Sequence, residues 1–290
     1  MLNSNLKGRI KNHFVPKSYL KFFTRHGHKG KIWRIPVLGG AIVSKDIENV
    51  PVARRLYVIE HADGSLDKSF ELKLSEFENI FSSDFWRAIL NENCPLNDPN
   101  YRSVLTLICG IMLQRNPLFL DEFREVQIKK GNLSSQRSEN DVKKLWLNFI
   151  STVDEFTGVI GNKYWSVIHD DQGRFITSDN PVVIISKTGN IRDLTLNETH
   201  LAFPMSPHRL LLLSDWKEID GKYIGADDGL VSLYNNQQVI NAKEHLLTGR
   251  DVKDLLAELD RDDEAFEAYN SSEGVVTRYI REIAAFFKRR

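Results

Sequence analysis

Tyr164-Trp165-Ser166-Val167-Ile168-His169-Asp170-Asp171-Gln172-Gly173-Arg174-Phe175-Ile176-Thr177-Ser178-Asp179-Asn180-Pro181-Val182-Val183-Ile184-Ile185-Ser186 is where the chain changes period. Polar and apolar residues alternate in short runs at 164–168, 174–178 and 182–186, the pattern of strands. Asp170-Asp171-Gln172-Gly173 reads as a hairpin turn between the first two, and Asp179-Asn180-Pro181 as a second break. Two more strands are expected at 201–205 and 209–214. Upstream the period is helical. Phe70, Leu74, Phe77, Phe81 and Phe85 recur at steps of four, three, four and four between Leu66 and about Leu90. A second helix spans 101–115, with Val104, Ile108 and Ile111 inward and Pro117 closing it. A third spans 142–157, and another is expected over 227–247. Helices grouped first and strands grouped after predict an α+β fold. A helical layer from 66–158 would pack on a mainly antiparallel sheet built from 163–214. Before them, Pro16 opens a short helix, and Lys31–Val37 pairs with Ala41–Val43 across Gly39-Gly40.

With 290 residues, 41% of them hydrophobic, the chain can bury a sizeable core. We expect one α+β domain over 1–250 and a charged, partly helical accessory tail over 251–290. The tail holds ten acids and seven bases, with a helical run near 276–287. Lys+Arg and Asp+Glu are both 39, which excludes a uniformly basic nucleic-acid coat. Cys94 and Cys109 are too few for a disulfide framework or a Cys-only zinc site. The N-terminal residues lack the apolar stretch of a signal peptide. The longest apolar run, 107–113, is far short of the ~20 residues of a spanning helix. The expectation is a cytoplasmic protein with free thiols and no membrane partner.

Charge is uneven along the chain. The first 45 residues hold ten Lys/Arg and no acid, with Phe14, Tyr19, Phe22, Phe23 and Trp33 interleaved. Residues 60–92 then hold eight acids against three bases. A basic segment with aromatics suits a phosphate backbone and stacked bases; it also suits packing against the acidic segment. Phosphate-loop, dinucleotide, zincin and serine-hydrolase signatures are missing. Gly27-His28-Lys29-Gly30-Lys31 is basic and glycine-rich but wrongly spaced for a phosphate loop. His26 and His28 read as exposed loop residues.

Separated short motifs carry more. They are His13-Phe14-Val15-Pro16 with Tyr19-Leu20 and Phe23, Phe70-Glu71 with Glu78, Gln114-Arg115-x-Pro117, Thr177-Ser178-Asp179-Asn180-Pro181, Phe203-Pro204-Met205-Ser206-Pro207, and Asn235-x-x-Gln238-x-x-x-Ala242. In this order, over about residues 12–248, they resemble the domain of unknown function 4238 family, whose hallmark is H-[FY]-V-P. Asn116 stands where that pattern has Thr. The resemblance implies a fold boundary and a set of residues, not a reaction.

Physical reading assigns those residues roles. Arg115 continues the 104–108–111 face by one step of four, so it points inward and needs a partner. Glu71 and Glu78, two turns apart beside the apolar stripe, are the simplest source of one. That pair is either a helix–helix clamp or a site where Arg115 binds phosphate or carboxylate. His13, ahead of a helix, suits a neutral base or metal ligand. Asp179 and Asn180 lie at a strand end, either lining a cleft or capping a turn. Asn235 and Gln238 share a helix face and either tie strands or read a polar ligand. One expectation is a nuclease-like hydrolase or effector acting on nucleic acid through residues 1–45, with bacterial defence as its setting. In it His13, Glu71, Glu78 and Asp179 are catalytic, and Arg115, Asn180, Asn235 and Gln238 bind. The alternative is a non-catalytic nucleotide- or protein-binding sensor module using the same cluster. The residues name no cofactor. A divalent metal is compatible with them, as is a protein partner or homo-oligomer. Either way, His13, Arg115, one of the two glutamates, and Asp179 or Asn180 should converge on one cleft.

Overall fold

The computed structural model describes residues 11–92, 94–131, 139–151, 154–186, 191–196 and 199–259. In chain order its elements are β1 (Lys11–His13), α1 (Lys17–Leu20), β2 (Lys31–Pro36), β3 (Val43–Asp46), β4 (Val52–Arg54), β5 (Ile59–Glu60) and β6 (Leu66–Asp67). Helices α2 (Ser69–Glu78), α3 (Asp84–Leu90), α4 (Pro99–Gln114), α5 (Pro117–Lys129), α6 (Glu139–Ser151) and α7 (Asp154–Gly161) follow. Then come β7 (Tyr164–His169), β8 (Thr177–Ser178), β9 (Val183–Ile185), β10 (His200–Ser206), β11 (Arg209–Ser214), β12 (Lys222–Gly225), α8 (Asp228–Asn241) and β13 (His245–Thr248). Residues 252–259 form one more helix.

The fold is α+β. A five-stranded sheet runs β12-β7-β11-β10-β9, antiparallel except for the parallel β12–β7 pair. Alternation along β7 and β11 splits its two faces, because successive side chains point opposite ways. Trp165, Val167, Leu211 and Leu213 face the helical layer, where Leu105, Ile108, Cys109 and Met112 of α4 meet them. Ile168, Leu210 and Leu212 face the other way, onto Leu230, Val231 and Tyr234 of α8. Helices therefore cover both faces. The N-terminal segment joins the first core through Val15, Tyr19, Leu20 and Phe23. Among the described residues no single helix is long and apolar enough to cross a membrane.

Several sequence expectations need correction. The 170–173 turn forms, with Gly173 N–H donating to the Asp170 carbonyl at 3.1 Å. It does not join a hairpin, however, because both edges of β7 are taken by β11 and β12. The chain beyond it is held instead by a side chain. Asn235 of α8 accepts from Ile176 N–H and donates to the Arg174 carbonyl, both at 3.0 Å. The strand then shrinks to β8, in a second sheet of order β3-β2-β13-β8. Second, the helix expected over 227–247 stops at Asn241, and His245–Thr248 becomes β13. Third, the phenylalanine stripe breaks at Ser83, whose hydroxyl accepts from Trp86 N–H and caps α3. Pro16 precedes α1 rather than opening it, its carbonyl accepting from Leu20 N–H at 3.0 Å. In the region expected to be accessory, the 252–259 helix buries Leu255 against Ile35, Ile176 and Leu246. The run near 276–287 lies outside the described residues.

Candidate functional site

Arg115 sits at the C-terminal end of α4, 1% exposed. Its Nη2 donates to Glu78 Oε1 at 2.9 Å and to the His13 carbonyl at 2.6 Å. Its Nε donates to Tyr57 Oη at 3.3 Å, and that hydroxyl donates back to the Arg115 carbonyl at 2.9 Å. Burial alone would disfavour the guanidinium, but Tyr57 and Glu78 outweigh it and hold the group charged. One side chain thus ties β1, the 55–58 turn, α2 and α4 together. The expected glutamate partner of Arg115 is Glu78.

His13 and Glu71 share this cluster. His13 Nε2 lies 3.2 Å from the Ile47 carbonyl. A carbonyl only accepts, so Nε2 carries the proton of the neutral ring and Nδ1 keeps a lone pair. Burial lowers the His13 pKa, against the opposing effects of the Ile47 bond and Glu78. Burial likewise raises the Glu71 carboxyl, opposed by Asn12 and Arg115. Among the described residues Arg115 Nη1 is buried with no hydrogen-bond partner, and the Asn12 amide is the polar group that faces the Glu71 carboxylate. The cluster is therefore polar, with the neutral His13 imidazole under the influence of Glu78 and with Glu71 beside Asn12 and the fixed positive charge of Arg115.

The remaining expected residues are placed next to this group but used differently. Asn116, directly after Arg115, donates through Nδ2 to the Asp179 carbonyl at 3.1 Å and to Asn180 Oδ1 at 2.9 Å. Asp179 turns its carboxylate away, accepting from the backbone N–H of Lys243, Glu244 and His245 at 2.8, 2.8 and 3.0 Å. It clips the start of β13, and burial still raises its pKa despite those three donors. Gln238 ties Ser178 Oγ to the Pro181 carbonyl at 2.8 and 2.9 Å, as Asn235 ties 174–176. Asp179, Glu244 and His245 are near enough to approach one metal ion, yet both Asp179 oxygens already serve backbone donors. A cavity of about 360 Å³ at the start of α8 touches Asn235 and Arg174; Arg174 is already bonded to Asp170 at 2.8 Å and Asp228 at 2.5 Å.

The basic segment is partly neutralised within its own fold. Lys17 pairs with Glu48 at 2.7 Å and Lys31 with Asp46 at 3.4 Å. Tyr19 and Phe23 are core residues, not stacking platforms. Lys21, Arg25, Lys29 and Lys45 make no ion pair among the described residues, and Arg25 lies over the half-exposed Trp33 ring, 4.1 Å from its centroid. His26 and His28 are exposed.

Sequence reasoning missed Tyr57 and Asn12. Tyr57 belongs to an unremarked apolar run at 56–59, and nothing in its spacing signals that its hydroxyl meets Arg115. Asn12 had one usable signal, its place directly before His13. The short motifs also hold one another: Tyr19 donates to the Pro204 carbonyl at 2.6 Å, meets Thr177 Oγ1 at 2.8 Å and stacks on Phe203 at 5.3 Å. A family model described as a protein of unknown function, DUF4238, matches residues 11–251. No curated protein and no solved structure matches the chain.

Proposed function

The chain belongs to the DUF4238 family of proteins of unknown function, and on that premise we propose that it is a hydrolase of nucleic-acid phosphodiesters centred on His13, Glu71, Glu78 and Arg115. One observation carries the reading: the Ile47 carbonyl fixes the His13 ring with Nδ1 as the lone-pair nitrogen, and the Glu78 carboxylate held by Arg115 acts on the same ring. In the reaction, Nδ1 takes a proton from water as the water oxygen attacks phosphorus. The bond from phosphorus to the leaving ester oxygen breaks, and Glu71, whose protonated form burial favours, returns a proton to that oxygen. Arg115 is a positioning residue, holding Glu78 and the His13 backbone rather than gripping substrate. Lys21, Arg25, Lys29 and Lys45 supply charge for a phosphate backbone.

A second reading, a non-catalytic nucleotide- or protein-binding module, is favoured by the ties that consume Asp179, Asn180, Asn235 and Gln238 inside the fold. One experiment separates them. His13→Ala loses a single hydrogen bond, about 0.5–1.5 kcal/mol, whereas a general base is worth about 10²–10⁴ in rate. Cleavage of labelled RNA and DNA oligonucleotides should fall by that factor with the melting temperature nearly unchanged. Oligonucleotide binding without cleavage by the wild-type chain would favour the module. Absence of binding even at low salt would remove nucleic acid as the substrate.

A further inference from the structure

Beside the Arg115 cluster, α2, the β5–β6 hairpin and α6 enclose a separate cavity of about 200 Å³. Its apolar part is made by Tyr57, Phe70 and Leu147, with the two rings 5.9 Å apart and tilted by 47°. Lys73, Lys144 and Asn148 are exposed around it. The one carboxylate in its lining, Asp67, accepts from the Ser69 N–H at 2.8 Å. Lys73 makes no ion pair among the described residues, and Lys144 only reaches Asp141 at 4.0 Å. The lining thus combines the partly exposed Phe70 ring, two exposed ammonium groups that only loosely approach Asp141 and Asp67, and the Asn148 amide.

We propose that this cavity binds one nucleotide, its base against the partly exposed ring of Phe70, which Tyr57 backs from within the core, and its phosphate between Lys73 and Lys144. The volume is below the ~300–1,000 Å³ of sites that engulf a drug-sized ligand, which suits a single base with its phosphate left at the rim. Aromatic rings accept any base through its π-face, and lysine ammonium groups serve phosphate as point charges. Position favours the same ligand. Phe70 and Glu71 are consecutive on α2, and the Tyr57 hydroxyl holds Arg115, so the cavity and the acid–base cluster share their supports. The choice of a nucleotide over another aromatic anion rests on the nucleic-acid reading above, and makes the cavity the subsite for a residue flanking the scissile phosphate.

The test is calorimetry on the full chain with AMP, GMP, CMP and UMP in turn, and with adenosine and inorganic phosphate. At least one nucleotide should bind, and its nucleoside should bind more weakly. The double variant Lys73→Glu/Lys144→Glu should weaken the nucleotide at least about tenfold while leaving the nucleoside unchanged, as loss of two screened charge contacts requires. Both lysines are exposed, so this variant keeps the fold; Phe70→Ala, with its melting temperature measured alongside, tests the stacking half. No nucleotide binding, or binding indifferent to the lysine pair, overturns the subsite. Nucleotide binding that survives in His13→Ala, with no oligonucleotide cleaved by the wild type, overturns the hydrolase and leaves the subsite standing. Cleavage without lysine-dependent binding does the reverse.

Discussion

Arg115 shows how much one buried charge organises. Its guanidinium is fully enclosed, and its bonds reach a carboxylate, a phenol and a carbonyl from three other segments. Removing it strands the partly buried Glu78 and frees the His13 carbonyl and the Tyr57 hydroxyl. Breaking a buried pair from one side costs about 3–5 kcal/mol. Glu78 keeps 22% of its side chain in water, which places Arg115→Ala at the lower end, about 3 kcal/mol. Urea unfolding should report that loss, and Arg115→Lys should recover only part of it, because one ammonium cannot match the fork that reaches both Glu78 and Tyr57. A change under 1 kcal/mol, the ceiling for most exposed pairs, would mean that the side chain is solvated and the clamp absent.

At the level of elements, the second sheet depends on a close approach that only glycine allows. Gly249 follows β13 directly, and a Cβ there would stand 2.4 Å from the Thr24 carbonyl oxygen. That neighbour is backbone, so the strand end or the 24–31 turn must shift. Gly249→Ala should cost about 1–3 kcal/mol, the usual penalty for overpacking. Gly158, on α7, has no described atom within 4 Å of its would-be Cβ, so Gly158→Ala should instead stabilise by about 0.5–1 kcal/mol. Thermal melts of the two variants should move in opposite directions; a shared direction would contradict the β13 packing. The same strand marks where sequence reading ends. The phenylalanine stripe, the α4 face and strands β7, β10 and β11 were legible because each buries a periodic face on a neighbour. β8 and β13 were not, because they are four residues or fewer and are held by the side chains of Asp179, Asn235 and Gln238. Half of the candidate site was legible for a related reason. Arg115 and Glu78 announce themselves as a charge on an apolar face and a carboxylate beside one. Asp179, Asn180, Asn235 and Gln238 were equally visible as polar residues, but their types cannot say whether their partners are backbone groups or a ligand.

The whole molecule folds its two larger sheets and its helical layer around shared residues, so its response to acid is a property of all of them. His200, on β10, is 1% exposed, and among the described residues neither ring nitrogen has a hydrogen-bond partner. Its ring packs 4.4 Å from that of Trp216. Burial lowers its pKa to about 4, with Asp215 pulling upward and Lys163 downward. His13 and His245 are lowered too, each chiefly by burial. A histidine whose folded pKa lies below its unfolded value binds more protons unfolded, so it destabilises the fold as pH falls. Its full stability is present above about 6.5 and is lost as pH drops toward the folded value. Glu71 and Asp179 act with the opposite sign, since burial raises both and their protonated forms favour the folded chain. His200 has the largest displacement of the three histidines that is fixed by burial in the sheet. A drop from 6.5 to about 4 corresponds to about 3 kcal/mol, enough to outweigh two carboxyls that keep donors or a nearby cation. Stability should therefore fall steadily between pH 6.5 and 4, measured by urea midpoints at half-unit steps. His200→Phe removes the titrating group while keeping an aromatic ring against Trp216, and it should flatten most of that slope. A slope left intact in His200→Phe would assign the acid sensitivity to His13 and His245 instead.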